Sequence, residues 1–303
     1  MNKLKFVICA PPYANHSAGI IILHELLDTL IGLGHDAHIA FMTHANGEWT
    51  FHSPTSDAGF NPRLRKTVLS EYEHGLAVND ALDNGICIYP EVVVGNPLQA
   101  KRVARYFLYH DGGITGIKCG YQPQDFLIAF SDAYLDDAHA QLFKPIVDQS
   151  MRDTGAPAFS ARSLNLTFFG KGRKYAGCFL VEDSVELNKA WPTTKKELAS
   201  LLRHTKYLYT WDRHSSINMD AVFCGARPVL LQNKQSLLDK ADKLETTLLQ
   251  GCFDNGEIKI EGEENYDLKR DIYLAAMTES INTWDARVMA VVNQMKSYFH
   301  LAY

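Results

Sequence analysis

Phe6 to Ala10 is an unbroken run of five apolar residues, too short for a helix and without a polar face. A run of this kind is expected of a strand buried on both faces, as in a parallel sheet covered by helices. Pro11 and Pro12 end the run, and a loop continues to Gly19. Ile20, Leu23, Leu27, Leu30 and Ile31 then recur at helical spacing over about residues 20–33, and Gly34 stops the helix. Ala37 to Met42 reads as the next strand. The chain therefore opens as strand–loop–helix–strand, the first unit of a doubly wound domain.

A similar pattern starts afresh in the second half. Leu164 to Phe169 is a strand that leads into Gly170-Lys171-Gly172. Lys195 to Leu202 is a helix, Tyr207 to Thr210 a strand, Ser215 to Cys224 a helix closed by Gly225, and Pro228 to Leu231 a strand. The intervening stretch, 148–163, is rich in small and polar residues and reads as a linker. The spacing predicts a first domain over 1–155, a linker over 156–163, a second domain over 164–280, and a last helix over 281–303 that possibly crosses back to the first. Between them, Ile86 to Tyr89 and Phe126 to Ala129 read as strands and Leu98 to Tyr109 as a helix.

Composition narrows the class. With 303 residues, 46% hydrophobic and 21% charged, there is enough apolar material for two cores without a metal or disulfide staple. The net charge of −5 gives no global attraction to nucleic acid or anionic lipid. The six cysteines show neither a C-x-x-C pair nor zinc-ligand spacing, and most lie in apolar runs, which fits a reducing compartment. No run is long enough for a transmembrane segment, and the N-terminal apolar run is too short for a signal peptide, so the expected location is cytoplasmic.

The richest segment is YLYTWDRHSSINMDAVFCGARPVLL, Tyr207 to Leu231. A strand ends near Asp212, and a helix begins at Ser215 or Ser216, either a reasonable N-cap. A helix start at the carboxyl end of a parallel strand offers free N–H groups and a favourable dipole to a phosphate. Asp220 lies about one and a half turns into that helix, so Asp212 and Asp220 can flank one site. Taken singly, Asp212 reads as a loop residue and Asp220 as a solvated helix residue. Joined to Cys224-Gly225 and Pro228, the pattern points to a ligand site.

This segment resembles the donor-site motif of GT-B glycosyltransferases, in which two acidic residues enclose seven others and the second precedes a small-residue–Cys-Gly–Pro run. Retaining members usually carry Glu at both positions; this chain has Asp212 and Asp220. The resemblance implies a fold of two Rossmann-like domains facing a cleft, with a nucleotide-sugar as substrate and no cofactor. It implies that Asp220 binds the ribose hydroxyls and that Asp212 lies nearer the transferred sugar as a catalytic residue. The acidic pair hints at retention of configuration.

Two further loops fit that resemblance. Gly170-Lys171-Gly172-Arg173-Lys174 is similar to the glycine–lysine loop that binds donor phosphates in this fold, with Gly170, Lys171 and Arg173 as donor-binding residues; a solvated basic turn fits the same residues. In the loop before the first helix, Ser17 and Gly19 are placed to approach the donor, and His16 is a candidate catalytic base. An ordinary solvated histidine also fits His16, and His24, inside the helix, reads as a core histidine. The segment Tyr89-Pro90-Glu91-Val92-Val93-Val94-Gly95-Asn96-Pro97-Leu98 resembles one found in bacterial polysaccharide-type glycosyltransferases; the residues themselves read as a structural strand–turn–helix.

No Asp-x-Asp suggests a metal-binding donor site, so the resemblance implies a metal-independent hexosyl- or pentosyltransferase. The implied acceptor is a glycan of the lipopolysaccharide or capsule type. Modified phage DNA bases are the alternative acceptor, and a non-catalytic nucleotide-sugar-binding protein is the alternative function. The first strand–helix turn lacks G-x-G-x-x-G, against a nicotinamide-dependent oxidoreductase.

Overall fold

The first strand, β1 (Lys5–Ala10), is buried from Phe6 to Ala10. These residues belong to a computed structural model that describes residues 3–15, 17–45, 48–52, 59–62, 76–174, 177–188, 190–231, 247–254 and 257–301. Two compact units emerge, one of Met1–Pro145 with Ser280–Tyr303 and one of Ile146–Glu279.

In the first unit, α1 (Ala18–Gly32) packs on β1 and the strand after it, and Ile22, Leu23, Leu26, Leu27 and Leu30 are buried. Each such side chain, fully buried, contributes roughly 1.5–3 kcal/mol. Gly34, at φ +87°, ends α1 in a left-handed turn: Gly34 N–H donates to Ile31 O and His35 N–H to Leu30 O. That pair of bonds is the glycine C-cap geometry. The chain continues as β2 (Asp36–Ala45), β3 (Glu48–His52), α2 (Leu76–Asn84), β4 (Ile86–Pro90), β5 (Val103–Phe107), β6 (Phe126–Ala129) and β7 (Ala140–Gln141). The sheet order is β3-β2-β1-β4-β5-β6-β7, with only the β2–β3 pair antiparallel.

The helix expected at Leu98–Tyr109 is replaced by a turn and β5. Lys101, Arg102 and Arg105 at helical spacing look like a polar face, but Arg105 is 1% exposed. Its guanidinium is satisfied internally: Nε donates to Asp125 Oδ2 at 3.2 Å, Nη1 to Val93 O at 2.9 Å, and Nη2 to Gly95 O. A buried, paired arginine hides a strand inside a helical charge pattern.

The second unit holds β8 (Leu164–Phe168), β9 (Ser184–Leu187), α3 (Lys195–His204), β10 (Thr205–Thr210), α4 (Ser216–Phe223), β11 (Arg227–Leu231), β12 (Leu249–Asp254) and β13 (Glu257–Glu261). Its sheet order is β13-β12-β11-β10-β8-β9, parallel except for the β12–β13 pair. Side chains alternate along each strand, and each face has its own core. Leu166 and Leu208 pack with Leu198, Leu202, Ala221 and Cys224. Tyr209, Trp211, Val229 and Leu231 pack with Phe169 and Tyr266.

The segment expected as linker is part of the second unit. Met151 joins the Leu166–Leu208 core, and Arg162 donates to the carbonyls of Thr205 and Cys224. The last helix is α6 (Trp284–Tyr298), and a further helix not expected from the sequence, α5 (Tyr266–Asn282), precedes it. Thr283 separates them with a non-helical ψ of 6°. Trp284 is buried in the first unit, where its indole N–H donates to Thr29 Oγ1 at 2.7 Å.

Candidate functional site

Strand order locates the place to look. In the second unit β9 lies on one side of β8, and β10, β11 and β12 follow on the other. The direction of winding reverses between β8 and β10, and ligands of open parallel sheets bind beyond the carboxyl ends of strands at such a reversal. The residues just past those two ends are Phe169–Lys174 and Trp211–Ser215. These are two of the segments singled out from the sequence, and the fold makes them neighbours.

After β8 the chain makes one tight helical turn, Gly170–Lys174. Gly170 has φ +50°, and a Cβ there would fall on Asp212 and Phe168. A Cβ on Gly172 would collide with the Trp211 backbone. Both glycines let the loop press against the end of β10. The Lys171 N–H donates to Asp212 Oδ2 at 2.8 Å, while its side chain belongs to an exposed residue. Arg173 covers the Phe169 ring at 4.3 Å and pairs with Glu186.

Ser215 is the N-cap of α4, with no hydrogen bond from its side chain to the helix start, and Ser216 is the first helical residue. Gly225 ends α4 with the same pair of bonds as Gly34: Gly225 N–H to Val222 O and Ala226 N–H to Ala221 O. Asn218, 5% exposed, donates from Nδ2 to Asp212 O at 2.9 Å and to Arg213 O at 3.1 Å.

Asp220 differs from the reading as a solvated helix residue: it is 1% exposed. Its Oδ2 accepts from Lys195 Nζ at 2.9 Å, and the Lys195 side chain is 46% exposed. Burial pushes the Asp220 carboxyl above the usual carboxylate range, and Lys195 pulls it back. Lys195 opens α3, whose start is fixed by a capping box between Thr194 and Glu197. Neither Lys195 nor Asn218 stands out from the sequence alone. The Thr-Lys-Lys-Glu capping pattern marks where Lys195 sits but not what its ammonium meets.

The first unit has the same kind of reversal, between β1 and β4. The loop after β1 carries His16, which lies outside the described residues. Ser17 is the N-cap of α1, and Gly19 lies in the first helical turn, not in the loop. A Cβ on Gly19 would meet Leu108 at an ordinary 3.5 Å, so no close approach demands glycine there. His24 is buried in α1; Nε2 meets Pro11 O at 3.0 Å, and burial lowers its pKa. It braces the loop as a neutral core group. After β4, Glu91 is buried and accepts the Leu108 N–H at 3.0 Å, and Asn96 bonds Tyr89 OH and Ala100. The Tyr89–Leu98 segment is thus a hydrogen-bonded turn held by Arg105.

Among the described residues, no group of three or more His, Cys, Asp and Glu side chains is placed to hold a metal ion, and no helix is long and apolar enough to cross a membrane.

No family model and no curated protein sequence matches the chain. Among solved structures it is similar to a glycosyltransferase from Rickettsia africae ESF-5, with a TM-score of 0.51 at 9% identity over 100% of both chains. It is also matched to the catalytic domain of starch synthase IV from Arabidopsis thaliana, bound to ADP and acarbose (TM-score 0.43, 8% identity, 98% of this chain and 99% of that one). A third match is an α-glucosyltransferase in complex with UDP and a 13-mer DNA containing an HMU base (TM-score 0.42, 12% identity, 98% and 96%). The chain has the α/β fold of GT-B glycosyltransferases.

Proposed function

We propose that this chain is a glycosyltransferase that moves a sugar from a nucleotide-sugar onto a glycan acceptor. The observation that carries this reading is the meeting of the Gly170-Lys171-Gly172 loop and the α4 N-terminus at the winding reversal of the second unit. Lys171 and Arg173 supply positive charge, and the start of α4 at Ser216 supplies a helix dipole, with the Ser215 N–H donating to Asp212 O. Preorganised donors of this kind stabilise the charge that grows on a departing diphosphate, so the reaction proceeds without a divalent cation. Asp220, paired with the half-exposed Lys195, is the residue read as receiving the ribose hydroxyls. In the first unit, His16 is the candidate base on the acceptor side. The net charge of −5 favours a glycan over a polyanionic acceptor.

The test is a panel of nucleotide-sugars, with and without glycan acceptors, in which nucleoside diphosphate release and sugar transfer are measured together. Release that depends on the acceptor supports the reading. A chain that neither releases nor binds any nucleoside diphosphate overturns it. Transfer in the presence of a chelator supports the metal-free donor site; complete loss that is restored by a divalent cation removes that part.

A further inference from the structure

The Gly170 loop and α4 are separated by some forty residues of sequence, and one carboxylate connects them. Asp212 is 7% exposed. Its Oδ2 accepts the Lys171 N–H at 2.8 Å. Its own backbone is held on both sides: its N–H donates to Thr210 Oγ1 at 3.1 Å, and its carbonyl accepts from Asn218 Nδ2 at 2.9 Å and from Thr210 Oγ1 at 3.1 Å. Asn218 lies in the first turn of α4. A continuous line of hydrogen bonds therefore runs from α4, through Asn218 and Asp212, to the backbone of Lys171. The available space agrees, because Gly170 leaves no room for a Cβ beside the Asp212 side chain.

We propose that Asp212 is a positioning residue: it clamps the Gly170–Lys171–Gly172 loop to the α4 N-terminus, so that the two form one preformed site for a nucleoside diphosphate. This rests on the donor-site reading and changes the part that Asp212 plays in it. Two loops that met only on binding would lose affinity to the cost of ordering them. The clamp removes that cost. Accepting a peptide N–H requires an oxygen, not a charge, so an asparagine amide can do the same work. A carboxylate acting on the transferred sugar would need its charge.

Asp212→Ala, Asp212→Asn and Gly170→Ala in the full chain test this. Three readouts apply: calorimetric affinity for UDP and ADP, hydrogen exchange of the Lys171 amide, and the rate of sugar transfer. In Asp212→Ala the Lys171 amide exchanges faster and nucleotide affinity falls about tenfold or more, the scale of one lost hydrogen bond. Gly170→Ala gives the same loss with Asp212 intact. Asp212→Asn rescues the clamp: exchange returns close to the unmodified chain, and affinity to within about threefold to fivefold.

Two results overturn the clamp. One is unchanged Lys171 exchange in Asp212→Ala. The other is an Asp212→Ala variant whose Lys171 amide exchanges faster while its nucleotide affinity stays that of the unmodified chain, which would show that the loop contact does not preform the site. If the unmodified chain binds neither nucleotide, the donor-site reading fails, and with it the ligand named here.

Discussion

Asp220 is a buried carboxylate in a helix, and its Oδ2 pairs with a lysine half in water. Its carboxyl is raised in the folded chain, chiefly by burial, from an ordinary value of 3.8. The folded state then holds the proton more tightly than the unfolded one. This stabilising contribution is complete at low pH and is lost as pH rises from near 3.8 through the raised value. Asp220→Asn removes that dependence. The melting temperature of the variant, relative to the unmodified chain, should therefore rise between pH 4 and pH 7; a difference that stays constant with pH would count against the burial account. Lys171 makes a different prediction. If its ammonium meets a diphosphate directly, Lys171→Ala weakens UDP or ADP binding by about 1.5–3 kcal/mol, the range for hydrogen bonds to charged groups. Because the Lys171 N–H that bonds Asp212 is kept in the variant, the loop's tie to the end of β10 should survive. Calorimetry and thermal melting of the variant check both halves.

At the scale of elements, β5 shows what a buried charge does to a sequence pattern. Arg105 ties this strand to the turn between β4 and β5 through the Val93 and Gly95 carbonyls, and to the start of β6 through Asp125. Tyr89 stacks against its guanidinium at 4.9 Å. Arg105→Ala strands the buried Asp125 carboxylate and frees two carbonyls, which should lower unfolding stability by about 3–5 kcal/mol. Chemical denaturation measures this directly, and a loss below about 1 kcal/mol would mean that water replaces the guanidinium without cost. The helices carry plainer signals. Gly34 and Gly225 each follow a helix, and each adopts the left-handed conformation that only glycine takes without penalty, so both stops are legible in the chain. The Thr194–Glu197 capping box is legible in the same way.

At the scale of the whole molecule, the second unit is inserted in the sequence of the first, because Ser280–Tyr303 packs with Met1–Pro145. Within α6 the anchor is Trp284, 2% exposed, bonded to Thr29 and covered by Lys144 at 5.2 Å from the ring. Val288, Val291, Val292 and Met295 bury the rest of that face. Trp284→Ala should destabilise the first unit by about 3–5 kcal/mol, the usual cost of removing a buried aromatic. Limited proteolysis that locates the first cuts would check it: they should fall in Met1–Pro145 and α6, with Ile146–Glu279 protected.

Features that rest on neighbours along the chain are legible in the residues alone. The buried run at Phe6–Ala10, the helix periodicities, the glycine stops and a start of α4 at Ser215 or Ser216 all depend on local spacing, and they identify two parallel α/β patterns and the loops that follow their strands. Tertiary structure alone decided which loops meet and what each charge faces. Gly170 and Asp212 become partners because β8 and β10 are adjacent in the sheet, a pairing between residues far apart in sequence. The buried Asp220 meets Lys195 of α3, and the buried Arg105 of β5 meets Asp125. Burial of a charge depends on a partner supplied by another element, and local periodicity carries no record of that partner.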